Sequence, residues 1–401
     1  MAHTEEVKRF PELNLMDKAM LLRGMRNPEY FKNEARPRLY KRCGNDPEMV
    51  HEMMLDLLHR DGKKISMLLG PFFAPPKKLN VRINGIDVVP FGTAAGMDKN
   101  GDALLVFQHI FGMQEPGTVV LNPREGNKRV RVATLDSELD LINAQGFPSM
   151  GLDYFAKNLA EYRRAGGNAK VYVSVCGLPV AEGNVIETAM KEMYEIITRL
   201  KSDADGFVWN PFSPNTAALK QLRVPEVFYE TSRLMHELAP DKLRMVKLGP
   251  YEPDGKADAM KLVGKFIDGG GHGVVTTNTK MIQKEEIPQP SRAVWGYPTA
   301  GRSGAYLKEH RARSIRDIRI EFPDSVIFAT GGIFTPDDAF DSFANGANGV
   351  QGYTPYAFFG VGLARTLMKG VEQKIEEHGL SSLSELQRTA SDEMRKASSS
   401  A

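Results

Sequence analysis

The segment Asn210-Pro211-Phe212-Ser213-Pro214-Asn215-Thr216 holds one hydroxyl between two prolines and flanks it with amide and hydroxyl side chains. It follows directly on Gly206-Phe207-Val208-Trp209, an apolar run that reads as a buried strand. Polar groups at the end of such a strand are where α/β folds place chemistry, although the same composition also makes an ordinary turn. Ser213 is the candidate general base. Serine is weak at its free pKa and would work through a water or hydroxyl relay, for which Thr216 is available. A nucleophilic Ser213 is the other reading, but no strand-end histidine or carboxylate is evident to activate it. Lys99 and Lys247 each follow an apolar run and together ask for an anionic occupant. The amides of Asn143, Asn210, Asn215 and Asn278 supply donors and acceptors for a planar, hydrogen-bonding ligand. Gly331-Gly332 lets backbone N–H groups approach an oxyanion. With Tyr353-Thr354 and a flexible loop at Gly301-Arg302-Ser303-Gly304, it makes a candidate phosphate site.

The elements that must position these residues alternate in type from about residue 80 onward. Strands are expected at Ile86–Pro90, Thr118–Leu121, Val171–Val175, Gly206–Trp209, Arg244–Leu248, Gly273–Thr277, Val326–Ala329 and Gly349–Gly352. Amphipathic stretches lie between most of them, such as Val185–Leu200, Ala257–Ile267 and Tyr306–Phe322. Such β–α alternation indicates a (β/α)8 TIM barrel; an open doubly wound sheet is the rival and rarely needs so many parallel strands. In a barrel all strand C-termini open on one face, so the polar ends at Gly96-Met97-Asp98-Lys99, Asn122, Ser174, Asn210, Lys247, Asn278-Thr279, Gly331-Gly332 and Tyr353-Thr354 would converge. His272 precedes its strand and belongs to the opposite face.

A separate unit precedes the barrel. Asn14–Met25 reads as a helix with Leu15, Met16, Ala19, Leu22 and Met25 at helical spacing, and Asn45-Asp46-Pro47 caps a second, Met-rich helix. These helices either pack on the barrel or form a mouth for a lipophilic molecule. The organisation is thus an N-terminal helical extension over 1–78, a barrel over 79–378 and a polar C-terminal tail over 379–401, with no structure-bearing pattern in Ala397–Ala401. The length of 401 residues exceeds the ~250 typical of one α/β barrel. A net charge of +2 gives no basic field for nucleic acid. Cys43 and Cys176 stand far apart, so neither a disulfide framework nor a cysteine-built metal centre is expected, and no metal is assigned. Acids through the first thirty residues argue against a secretory or transit peptide, and no apolar run approaches the ~18 residues of a membrane span. A cytoplasmic protein is expected, with room for peripheral contact at the inner membrane.

The ordered motifs resemble those of a known family. Ala94-Ala95-Gly96-Met97-Asp98-Lys99-Asn100-Gly101, Gly117-Thr118-Val119, Leu141-Ile142-Asn143 with Gly146-Phe147, and Asn210 through Thr216 are similar to motifs of the class 2, quinone-dependent dihydroorotate dehydrogenases, FMN enzymes of pyrimidine synthesis. So are Val246-Lys247, Thr277-Asn278-Thr279, Ser303-Gly304, Gly331-Gly332 and Tyr353-Thr354, in family order across roughly 36–375. The resemblance implies that dihydroorotate loses a C5 proton to Ser213 and a C6 hydride to FMN, giving orotate. It implies substrate contacts at Lys99, Asn143, Gly146, Phe147, Asn210, Asn215, Asn278 and Thr279. It implies cofactor contacts at Ala95, Gly96, Lys99, Thr118, Ser174, Asn210, Lys247, Thr277, Gly304, Gly332, Tyr353 and Thr354. Serine rather than cysteine at position 213 marks the quinone-reducing branch. The helices before residue 70, with Arg36-Pro37-Arg38-Leu39-Tyr40 and Asp46-Pro47-Glu48, resemble that branch's extension, where a quinone enters. The chain departs from the family at Ser174, usually asparagine, at Pro211-Phe212, at Leu121-Asn122 and at Ala305. A related FMN barrel acting on another pyrimidine-like ring, or a non-catalytic flavin-binding barrel, would share most of these residues.

Overall fold

The structure, a computed structural model, describes residues 10–73, 75–178 and 184–390. Ala397–Ala401 lie outside them, and so does the turn that continues past Leu178. Two short strands come first, β1 (Val81–Ile83) and β2 (Ile86–Val88), paired antiparallel around Asn84 and Gly85 with φ of 46° and 77°. Two consecutive left-handed residues match the twist of a tight hairpin, which favours Asn-Gly. This local pairing consumes the run expected to be the first barrel strand.

The barrel strand that follows is instead β3 (Phe91–Thr93). The second, β4 (Met113–Gln114), by contrast precedes its expected place: Thr118–Leu121 lies beyond it, with Val119 bridged to Val175. The next two strands, β5 (Val132–Leu135) and β6 (Asp140–Asn143), belong to another sheet. The barrel resumes with β7 (Lys170–Val175), β8 (Gly206–Trp209), β9 (Leu243–Leu248) and β10 (Gly273–Thr276). After β11 (Lys280–Gln283) and β12 (Thr299–Gly304) it closes with β13 (Val326–Thr330) and β14 (Gly349–Gly352). The parallel order β10-β13-β14-β3-β4-β7-β8-β9 forms a closed barrel with helices between its strands, as expected. Closure leaves no unpaired barrel edge.

Met245 and Phe328 point into the barrel and Phe91, Val173 and Phe207 toward the surrounding helices, all buried. Each such side chain contributes roughly 1.5–3 kcal/mol by leaving water. Helices cover the outside with one apolar stripe each. Val185–Leu200 buries Met193, Ile196, Ile197 and Leu200 and leaves Tyr194 to solvent.

An antiparallel sheet of order β11-β12-β6-β5 stands over the barrel mouth on a small core of its own, built around Ile142, Ile282, Trp295 and Ala300. The segment Gly301-Arg302-Ser303-Gly304, expected as a flexible loop, is therefore a paired strand. Arg302 locks it by donating to the buried Asp140 carboxylate at 2.6 and 2.8 Å.

The N-terminal helices differ from expectation in rotation. In Leu15–Arg26 the assumed inner residues Leu15, Met16 and Leu22 are exposed, while Leu21 and Met25 face inward. The fully buried Asp17 explains this. It closes a capping box with Asn14 and takes Arg38 at 2.9 Å and Arg42 at 2.8 Å, so its carboxylate sets the helix rotation. The tail also differs: 383–390 are helical, with Leu383, Leu386 and Ala390 buried. Their three- and four-residue spacing was the overlooked signal.

Candidate active site

One cavity opens where the barrel strands end, walled on its far side by the β11-β12-β6-β5 sheet. Ser213 lines it with Lys99, Asn143, Gly146, Phe147, Asn210, Asn215, Asn278 and Thr279. The expected cofactor contacts Ala95, Gly96, Thr118, Lys247, Thr277, Gly304, Gly332, Tyr353 and Thr354 line it too. Ser174 does not. It is fully buried inside β7 and its hydroxyl meets Thr118 Oγ1 at 2.9 Å, one residue back from the wall. Asn122 is exposed and away from the cavity, because the strand meant to deliver it ends earlier. His272 precedes β10 as expected, and its Nδ1 accepts from the Arg244 N–H at 3.1 Å.

The amides are fixed by one another. Asn210 Nδ2 donates to Thr118 Oγ1, Asn278 Nδ2 donates to Asn210 Oδ1, and Thr279 N–H donates to Asn278 Oδ1, all at 2.8–2.9 Å. Across the cavity Asn215 Nδ2 donates to Asn143 Oδ1 at 2.8 Å, and Asn143 Nδ2 donates to the Gly301 carbonyl at 3.2 Å. A chain of satisfied amides holds its members in single rotamers and presents their remaining groups to the cavity.

The Ser213 loop is held by a residue not anticipated from the sequence. Arg223 Nε donates to the Pro211 carbonyl at 2.9 Å and Nη2 to the Ser213 carbonyl at 3.2 Å, while its guanidinium lies 4.8 Å from the centre of the Phe212 ring. Phe212 packs edge-on against Phe228 and close to Gly249, where a Cβ would come within 2.7 Å of its ring. The Pro211-Phe212 departure thus faces the barrel flank, away from the cavity that Ser213 lines. Thr216 is not among the lining residues, and no hydrogen bond joins it to Ser213 among the described residues.

Charge is concentrated at the two lysines. Lys247 is buried with its Nζ 3.4 Å from Oε1 of Glu115, another buried group unrecognised in the sequence. Burial pushes the Glu115 carboxyl up and Lys247 draws it back. For Lys99, burial lowers the ammonium from its ordinary range, while Glu48 and Glu52 oppose that shift. Glu48 is itself buried and paired with Arg131 at 2.9 Å, so the helix Pro47–Arg60 delivers a carboxylate behind the Lys99 side of the cavity.

At the other end Ser303 Oγ meets Thr354 Oγ1 at 2.9 Å. Gly331 and Gly332 adopt φ of 102° and 67°, and a Cβ at Gly332 would sit 2.9 Å from the Lys308 nitrogen. Glycine is required there by conformation and by space. Among the described residues neither the Gly331 nor the Gly332 N–H has a protein acceptor, and Thr277 Oγ1 is buried without a partner.

A second, apolar cavity adjoins the first and shares Val132, Leu141 and Tyr353 with it. The N-terminal helices close it with Leu21, Met25, Val50, Met54 and Leu69. His51 stands at the junction with its ring 5.7 Å from that of Tyr353. Burial, then the Lys99 charge, pushes the imidazole down to about 3, so it is neutral at physiological pH.

Fold and cavity together define a (β/α)8 barrel with a polar candidate site at the C-terminal ends of its strands. Comparison with known proteins narrows the class. The family model described as dihydroorotate dehydrogenase matches residues 78–375. The chain is 32% identical over 352 residues to the dihydroorotate dehydrogenase (quinone) of Anaeromyxobacter dehalogenans, covering 85% of this chain and 92% of that protein. It is 30% identical to the enzyme of the same name from Thermosynechococcus vestitus, covering 85% and 96%. Among solved structures, DHODH from Eimeria tenella in complex with ferulenol superposes with a TM-score of 0.74 at 25% identity, covering 86% of this chain and 94% of that one. The chain belongs to the dihydroorotate dehydrogenase family.

Proposed function

We propose that this enzyme oxidises dihydroorotate to orotate in pyrimidine biosynthesis, uses FMN as its resident group and delivers the electrons to a quinone. The observation that carries the reading is the pairing of cavities. A polar one with Ser213, two lysines and four asparagines shares a wall with an apolar one closed by the N-terminal helices. The residues present fit FMN. The unpartnered N–H groups of Gly331 and Gly332 suit its phosphate, the orphaned Thr277 hydroxyl suits a polar edge of the ligand, and Lys247 suits the charge a flavin gains on reduction.

When bound, FMN supplies the acceptor for the hydride that leaves C6 of the substrate. Ser213 Oγ takes the C5 proton; with no Thr216 hydrogen bond to it among the described residues, the onward relay in this reading is water. Lys99 pairs with the substrate carboxylate. Asn143, Asn210, Asn215 and Asn278 hold the ring by hydrogen bonds that their own network has already oriented. Gly146, Phe147 and Thr279 shape the substrate end. Ala95, Gly96, Thr118, Gly304, Tyr353 and Thr354 shape the cofactor side, with Ser174 acting through Thr118.

The apolar cavity takes the quinone, and Tyr353 and His51 lie between the two half-reactions. Among the described residues no helix is long and apolar enough to cross a membrane. The exposed Leu15, Met16, Leu22, Met67 and Leu68 on the N-terminal helices support peripheral contact with the inner membrane from the cytoplasm. Anaerobic mixing of the FMN-bound enzyme with dihydroorotate should bleach the flavin absorbance in a stopped-flow trace, and added quinone should restore it. A flavin that stays oxidised with dihydroorotate refutes the substrate assignment.

A further inference from the structure

We propose that Arg311 is a positioning residue for the cofactor phosphate: from behind the Gly331-Gly332 turn it orients the turn's peptide and supplies buried counter-charge for a dianionic group in front of it. The proposal rests on the reading that this cavity holds FMN.

The side chain projects from the second turn of the helix Lys308–Glu321 and is only 2% exposed. Its Nη1 donates to the Gly331 carbonyl at 2.6 Å. A peptide unit is planar, with its C=O and N–H pointing in opposite directions. Fixing the Gly331 oxygen on Arg311 therefore turns the Gly332 N–H away from the arginine. That N–H has no protein acceptor among the described residues, and Gly332 lines the cavity. Arg311 does not touch the ligand in this arrangement. It determines where the ligand's donor points.

The charge balance gives the same direction. A buried guanidinium is costly without a counter-ion, and among the described residues no carboxylate lies within ion-pair distance of Arg311. Asp338 acts on it only through space. That carboxylate already accepts from the Phe334 and Thr335 N–H groups and the Thr335 hydroxyl, each at 3.0 Å, and pairs with Lys308 at 2.5 Å. Among the described residues Arg311 Nε is buried with no hydrogen-bond partner. Burial lowers the guanidinium to about 10, so it remains charged at neutral pH. A cation short of negative charge, behind a turn short of acceptors, is complementary to a phosphate group with its charge of about −2.

A purely structural arginine would support every flavin equally, so the test compares FMN with riboflavin, which lacks the phosphate. Apoprotein titrations followed by flavin fluorescence give both dissociation constants for the wild type, Arg311→Met and Arg311→Lys. The methionine variant should weaken FMN binding by about 10- to 100-fold, the usual range for a lost charge-assisted contact, and change riboflavin binding by less than about threefold. Lysine keeps the charge but not the planar fork, so its FMN preference should fall between the two; it also serves if the methionine variant does not fold. Equal losses for both flavins, or an undiminished FMN preference in the variants, overturns the proposal while leaving the flavin reading intact. A wild type that takes up neither flavin, or fails to prefer FMN, overturns the flavin-phosphate reading and this proposal with it.

Discussion

In the proposed mechanism Ser213 takes a proton with no histidine among the residues that line its cavity, so its position must do what an adjacent base does elsewhere. Arg223 fixes the carbonyls on either side of Phe212, and the prolines on each flank remove backbone freedom. Ser213→Ala should slow flavin reduction by dihydroorotate by about 10²- to 10⁴-fold, the range for loss of a general base. FMN affinity should stay unchanged, because Ser213 is separate from the glycine turn proposed to meet the phosphate. Single-turnover reduction traces with parallel flavin titrations check this, and a variant that reduces its flavin at the wild-type rate removes Ser213 from the mechanism. Ser213, Lys247 and Asn278 were legible as cavity residues because each lies at or shortly beyond the end of a barrel strand, and a closed barrel brings all strand ends to one mouth. Arg223, Glu115 and Arg311 were not legible. They act from behind the wall through long-range contacts, and an arginine in an amphipathic helix carries no local sign that its head group turns inward.

At the scale of elements, the helix Pro47–Arg60 lies between the sites proposed for the two half-reactions. Its first turn sends Glu48 to Arg131 and Lys99, and the next turns send Val50, His51 and Met54 into the apolar cavity. Filling that cavity should therefore separate the two steps. Met54→Trp adds bulk where a quinone head or tail would lie, so the concentration of quinone needed for half-maximal reoxidation should rise about tenfold or more, in line with an overpacking cost of about 1–3 kcal/mol. Reduction by dihydroorotate should be unaffected. If quinone kinetics match the wild type, the acceptor enters elsewhere. The helix was legible from its Asp-Pro cap and methionine face. The rotation of Leu15–Arg26 was not, because a buried Asp17 is tolerated only while it meets Arg38 and Arg42, and that orientation turns Leu21 and Met25 inward in place of Leu15, Met16 and Leu22. The β11-β12-β6-β5 sheet was missed for a related reason. Its strands come from two distant insertions, and neither shows a run long enough to signal a strand alone.

For the molecule as a whole, the helices and the barrel form one packed body. Arg36 makes a bidentate pair with Asp136 at 2.8 and 2.9 Å, Arg131 pairs with Glu48, and Arg129 pairs with Asp46, Glu48 and Glu52, so ion pairs tie the extension to the insertion that carries β5 and β6. A proton taken up anywhere at that seam on unfolding should then register in global stability. His51 lies at the seam and is held neutral, with its folded pKa near 3 against about 6.5 for an unfolded histidine. Between those values the unfolded chain binds a proton there that the folded chain does not, so stability contributed by neutral His51 is full above about pH 6.5 and is lost as pH falls toward 3. Other groups titrate in the same window, Asp98 among them with its carboxyl raised to about 7 by burial, and that group changes stability in the opposite sense. A difference measurement cancels them. Urea melts of the wild type and His51→Phe, a replacement of similar size in an apolar wall, should diverge as the pH is lowered from 6.5 to 4.5. The wild type should lose up to about 1.4 kcal/mol per pH unit relative to the variant. Parallel profiles across that range would mean that His51 takes up its proton in the folded enzyme, and that the junction between the two cavities is wetter than its packing indicates.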